Sequence, residues 1–504
     1  MHRIGFDNQR YWREQSEYII ERSKLFQNKL YLEFGGKLVH DHHAARVLPG
    51  FHPNAKIELL TRLKEQAEIL ICVHAGDIER RKTRADFGTT YDLDVLRLID
   101  DMRRRDILVR GVVITRHDRQ PVVDSFIRRL KQHGIAVWLH RAIPGYPADV
   151  DRIVSDEGYG LNPYIPTERP IVVVTAPGPG SGKMATCLSQ VYHEHRRGIN
   201  AGYAKFETFP IWSLPLKHPV NVAYEAATAD LADFNQVDPY HLEAYGETAI
   251  NYNRDVEIFP VVRRILERIM GAERVYKSPT DMGVNRAGFA ICDDAVCREA
   301  SRQEIIRRYF RYQCEYKMGL VEKGTVDRAK MILDDIGGQE TDRPVVAPAR
   351  AAAEAAQAAG AGHAGICCGA AIQLPDDRLV TGKNSPLLHA AAAAVLNAIK
   401  TLAGIPDAIH ILSGSVVASV GALKTGILQG AEVSMNLEET LIALSVSAAS
   451  NPTAQAALEH LKALRGCEMH LTHMPPPGDE AGLRKLGLNL TCDPSFSSKL
   501  LHAE

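Results

Sequence analysis

The chain has 504 residues, 45 % of them apolar and 24 % charged, with a formal net charge of −1. That length exceeds one hydrophobic core and calls for about two to four domains, and the near-neutral charge excludes a global field that would draw the chain to nucleic acid or anionic lipid. No apolar run nears the ~20 residues that span a bilayer, and the nine cysteines, without CxxC spacing, read as reduced thiols of a cytoplasmic protein.

The first segment, MHRIGFDNQRYWREQSEYIIERSKLF, reads as an amphipathic helix without the apolar centre of a signal peptide. KLYLEFGGKL (29–38) reads as a strand ending in a glycine turn. Further apolar runs are EILICVHAG (68–76), ILVRGVVITRH (107–117), GIAVWLHRAI (134–143) and PIVVVTA (170–176). Helical patterns lie between them, and Pro121 and Gly134 sit at the two ends of one, as helix boundaries require. Strand alternating with helix predicts an α/β fold with a parallel sheet covered on both faces. YAKFETFPIWSLP (203–215), with Lys205 and Glu207 between aromatics, is expected either to cover a ligand or to form an edge strand.

From 223 to 344 the strand signal fades and charge-dense segments such as FPVVRRILERIMG predict a helical subdomain. It follows an N-terminal α/β domain over 1–222 and precedes a C-terminal α/β domain over 345–504. The Ala-, Pro- and Gly-rich stretch at 343–362 reads as a connecting helix or linker. Beyond it come a hairpin, GAAIQLPDDRLVTGKN (369–384), and a helix capped at Ser385 and Pro386. Strands CEMHLTH (467–473) and LNLTC complete the reading.

The most informative stretch is TAPGPGSGKMATC, between the strand at 170–176 and a helix. A strand, a glycine-rich turn and a helix N-terminus direct several backbone N–H groups at one point, where an anion binds. Gly182 and Lys183 match the phosphate-loop pattern G-x-x-x-x-G-K-[ST], while Gly178, Gly180 and Ser181 keep the loop open and polar. Pro177 replaces the first glycine, and Met184 replaces the hydroxyl that ordinarily ligates magnesium. Thr186 lies three residues past the lysine, out of that position. The loop is therefore expected to hold ATP or another phosphate ligand, with the usual magnesium geometry in doubt.

Ligands of parallel sheets lie beyond the carboxyl ends of the strands. Those ends carry His74 and Asp77, then Arg116, His117 and Asp118, then His140 and Arg141. Together with Lys183 they form a candidate rim, in which Lys183 neutralises phosphate and Asp77, His117, His140 or Arg141 acts on a second substrate. His40, His42 and His43, and His470 with His473, have no recognised metal-ligand spacing, and no metal site is assigned.

Long segments, including HAARVLPGF, TAPGPGSGKMATCLSQ, YAKFETFPIW, KSPTDMGVN, NPTAQAALEHLKALRGCEMH and PGDEAGLRKLG, resemble a bacterial family known as domain of unknown function DUF1846, over nearly the whole chain. The resemblance implies a bacterial cytosolic protein of three subdomains and no particular activity. A second likeness concerns the hairpin at 369–384 followed by His389, Ala390 and Ala391, which resembles the start of a cytidine-deaminase-type fold. Ala391 stands where that family has its proton-shuttling glutamate, and no CxxC follows, so zinc-hydroxide chemistry is not expected.

Three functions follow. The first is an enzyme of phosphoryl transfer or nucleotide-driven ligation acting on a small phosphorylated ligand. The second is a non-catalytic phosphate sensor or assembly protein, and the third a deaminase-like hydrolase, which Ala391 argues against. A homo-oligomer is expected from the size and the helical part, with neither nucleic acid nor membrane as partner.

Overall fold

The apolar runs of the N-terminal half form six strands: β1 (Leu30–Phe34), β2 (Ala67–His74), β3 (Leu108–Thr115), β4 (Val137–Leu139), β5 (Ile171–Thr175) and β6 (Gly202–Phe206). Three short strands follow, β7 (Asn235–Val237), β8 (Ile250–Tyr252) and β9 (Gly283–Val284). The computed structural model describes residues 3–27, 29–83, 88–271, 276–363, 365–430 and 433–498. In it a seven-stranded sheet runs β4-β3-β2-β5-β1-β6-β9 with every pair parallel, while β7 and β8 form a separate antiparallel pair. Every residue of β1 and β5 is buried, as expected of central strands covered on both faces.

The segment at 203–215 is neither lid nor edge at its start, because β6 lies between β1 and β9. A two-residue strand such as β9 carries no period, so its place beside β6 was invisible in the sequence.

The strand order creates a switch point. From β2 the chain moves to β3 towards one edge; from β5 it passes over β1 to β6 towards the other. Right-handed connections running in opposite directions place their helices on opposite faces. Since β2 and β5 are neighbours, a crevice opens between their carboxyl ends. The Lys183–Arg196 helix follows β5 and covers the face where β1 and β6 present Tyr31, Glu33, Tyr203 and Lys205, which pair in register. Tyr31 anchors that helix by donating to Glu194 Oε1 at 2.8 Å.

The chain divides into two compact units, one of Ile4–Glu225 with Asp233–Ser301, the other of Ala226–Ala232 with the chain from Arg302. The strand-poor stretch after 222 is thus shared between them. The second unit holds a mixed sheet of β10 (Gly369–Gln373), β11 (Leu379–Lys383), β12 (Glu468–Leu471) and β13 (Asn489–Cys492). Its order is β11-β10-β12-β13, antiparallel except for β12 with β13. The Ala-rich stretch after 343 is no free linker. It forms the Val346–Ala358 helix, which lies so close to β10 that a Cβ on Gly369 would stand 2.1 Å from the Ala349 carbonyl. Small side chains permit that approach, and the alanines of the Ala390–Leu402 helix do the same against Gly382.

Candidate functional site

The loop at 177–182 is shaped by two glycines. Gly182 has φ 83°, a left-handed conformation that disfavours a side chain, and a Cβ there would meet Thr115 Cγ2 at 2.8 Å. At Gly178 a Cβ would stand 2.1 Å from the Tyr91 hydroxyl. Ser181 is fully buried; its hydroxyl donates to Gly178 O at 2.9 Å, and its own carbonyl accepts from Thr115 Oγ1 at 2.9 Å. The loop is thereby tied to itself and to the end of β3.

The first backbone bond of the following helix runs from Thr186 N–H to Gly182 O at 3.0 Å. The N–H groups of Gly182, Lys183, Met184 and Ala185 have no acceptor among the described residues. These are the four donors that every helix start leaves over, and here they face a cavity of about 410 Å³.

The carboxyl ends of four other strands contribute to the same cavity, with Glu33 from β1, His74 at the end of β2, Thr115 and Arg116 at β3, and His140 and Arg141 after β4. Lys183, Arg116 and Arg141 form no ion pair among the described residues, so three unpaired cations share the cavity with the helix start and with one carboxylate, Glu33. Asn162 holds this wall in place. Its side-chain oxygen accepts from the Arg141 N–H at 3.1 Å, and its carbonyl bonds His193 Nε2 at 2.7 Å.

His140 is 3 % exposed and its Nε2 has no hydrogen-bond partner. Burial, with the nearby His193 adding to it, pulls the imidazole down to about 3, so the ring is neutral at physiological pH. His74 is also shifted down by burial, against the pull of Asp77, and its Nδ1 accepts from the Gly76 N–H at 2.9 Å.

Of the residues singled out in the sequence, Gly180, Ser181, Gly182, Lys183, His140 and Arg141 line one cavity. Gly178 instead packs under Tyr91. Asp77 is buried in the short Ala75–Glu79 helix and turned to Arg80 and Lys82, the latter at 3.9 Å. His117 donates its backbone N–H to His140 O at 3.0 Å and is not part of the wall. His40 and His42 stack at 6.0 Å, His43 meets Phe209 and Tyr224 edge-on, and buried His470 bonds Thr491. Thr186 pairs with the Cys72 thiol at 3.4 Å.

Four polar wall residues were not picked out by sequence reasoning, Glu33, Thr115, Tyr146 and Asn162. Glu33 had a readable signal, an acid inside the otherwise apolar LYLEF, where a buried carboxylate requires a partner or a purpose.

Fold and cavity together define an α/β protein with a crevice, lined by cations and a helix start, at the switch point of an open parallel sheet. The chain belongs to the family described as Domain of unknown function DUF1846, whose N-terminal part matches residues 4–337 and whose C-terminal part matches residues 341–502. It is 56 % identical over 500 residues to a "UPF0371 protein" of Clostridium botulinum strain Alaska E43, covering 99 % of both chains. The match to the "UPF0371 protein" of strain Langeland has the same identity and coverage. No helix among the described residues is long and apolar enough to cross a membrane.

Proposed function

We propose that the protein binds a nucleotide or phosphorylated metabolite at the 177–183 loop and acts on it by phosphoryl transfer or nucleotide-driven ligation. One observation carries this reading. The four free N–H groups at the start of the Lys183–Arg196 helix and the unpaired Lys183, Arg116 and Arg141 converge on one cavity. Unpaired cationic side chains beside free helix-start donors make a ready anion site, since charge-assisted bonds from both converge on one ligand. The loop departs from the magnesium-binding pattern at Met184, and Thr186 is engaged with Cys72, so phosphate affinity is expected without magnesium.

Titration calorimetry with ATP, GTP and inorganic phosphate, with and without magnesium, tests the proposal. Lys183→Ala is expected to weaken phosphate binding at least tenfold, about the 1.5–3 kcal/mol of a charge-assisted hydrogen bond. Equal binding by the variant would reduce the loop to a structural turn.

For the second unit we infer a deaminase-like fold without its zinc chemistry. The hairpin of β10 and β11 leads into the Ala390–Leu402 helix, His389 is bonded to Asp479 at 2.8 Å, and Ala391 offers no proton relay. Metal analysis of the purified protein tests it, and stoichiometric zinc would overturn it.

A further inference from the structure

The cavity wall contains one carboxylate among its described residues, Glu33, and its surroundings leave it half-satisfied. It lies at the carboxyl end of β1, on the sheet face covered by the Lys183–Arg196 helix, so it shares both face and cavity with the phosphate-facing loop. Its Oε2 accepts from the Tyr203 hydroxyl at 2.7 Å. Its in-register neighbour Lys205 is already engaged by Asp255 at 2.6 Å and by Glu207 at 2.8 Å. Oε1 of Glu33 has no hydrogen-bond donor among the described residues.

A carboxylate in the wall of an anion site repels any ligand that is anionic throughout. It favours one that brings a hydrogen-bond donor to the end remote from its phosphate. Mostly buried, Glu33 gains most from such a donor because water reaches it poorly.

Resting on the phosphate reading above, we propose that the ligand is a phosphate monoester of a hydroxylated small molecule, a polyol or sugar phosphate. Its phosphate lies at Gly182–Ala185 and a hydroxyl donates to Glu33 Oε1. Glu33 is then the residue that selects the organic part of the ligand, and Lys183 the one that holds the phosphate.

Calorimetric titration of the full chain with inorganic phosphate, propyl phosphate and glycerol 3-phosphate decides the matter, because the two esters differ only in two hydroxyls. The wild type is expected to bind glycerol 3-phosphate about tenfold or more tightly than propyl phosphate, as one hydrogen bond to a charged group provides. Glu33→Ala is expected to lose that preference and Glu33→Gln, whose amide oxygen still accepts, to reduce it, while both keep or improve the affinity for inorganic phosphate. Lys183→Ala should weaken all three ligands. Equal wild-type affinity for the two esters, with phosphate still bound, overturns the role of Glu33 and leaves the phosphate site standing. A preference that survives in both Glu33 variants does the same. Failure of all three ligands to bind the wild type removes the phosphate reading and this proposal together. Glu33→Gln keeps the shape of the carboxylate, so the variant arm of the test remains if Glu33→Ala does not fold.

Discussion

Two buried charge networks, one in each unit, are balanced in opposite ways. In the second unit, Glu468 at the start of β12 is held by Arg307 at 2.9 Å and by fully buried Arg343, and Glu304 is held by Arg307 and Arg308. Arginines outnumber acids there, and although burial opposes it, the arginines hold the Glu468 carboxyl down at about 2. In the first unit, one lysine, Lys205, serves Asp255 and Glu207 and lies beside Glu33. Burial, only partly opposed by Lys205 and reinforced by Asp255, pushes Glu207 up to about 8. A network with cations to spare is closed and structural; one short of cations retains a proton and leaves a carboxylate oxygen over. Only the second kind adjoins the crevice.

The sharpest way to break the contrast is to open the closed network. Arg343 donates to Thr491 at 2.9 Å and to the carbonyls of Asn489 and Met469 at 2.6 and 3.2 Å, so it ties β12 to β13 as well as pairing with Glu468. Arg343→Ala is expected to destabilise the protein by about 3–5 kcal/mol in denaturant melts, because it takes one of two arginines from Glu468 and leaves the buried carbonyls of Asn489 and Met469 without that donor. Glu468→Gln should cost about 3 kcal/mol at neutral pH. The sign with pH is fixed. A carboxyl whose folded value lies below its ordinary 4.5 stabilises above 4.5 and loses that contribution as pH falls towards about 2. The gap between wild type and Glu468→Gln should therefore close over that acid range, and a constant gap would mean that packing, not charge, is what the variant lost.

Glu207 should behave in the opposite sense. Its folded value is raised, so its contribution is complete below 4.5 and fades as pH rises to about 8. Glu207→Gln, which mimics the protonated acid, is expected to cost less than about 1 kcal/mol near pH 6 and to match or exceed the wild type near pH 9. Melts at the two pH values check it; a variant weaker at both would place Glu207 among the closed pairs.

Much of the architecture was legible because its physics is local. The β-branched runs that became β2, β3 and β5 are long enough to carry a pattern, and Gly182-Lys183 after such a run marks a strand–turn–helix unit. The short β7, β8 and β9 were not, since two or three residues have no period and gain their place from neighbours. At the site, residues just past strand ends could be placed on the rim, but their direction could not. Arg141 reaches the cavity while Asp77, equally close to a strand end, is turned away by a helix of five residues to face Arg80. Glu33 escaped notice because strand alternation alone does not say which face the next helix covers.

The smallest expected effects on stability concern the residues expected to matter most for ligand. Lys183 is half-buried, Arg116 and Arg141 are exposed, and none is paired within the protein, so replacing any of them by Ala removes little that folding relies on. Each is expected to change stability by less than about 0.5 kcal/mol. Arg116→Ala and Lys183→Ala together should even raise the melting temperature slightly in the absence of phosphate, since like charges around one cavity repel. Added phosphate should raise the melting temperature of the wild type and leave that of the double variant unchanged, as linkage to binding requires. A double variant that melts lower than the wild type without ligand would show that these cations have partners in the folded chain, and the contrast between an open crevice and a closed network would dissolve.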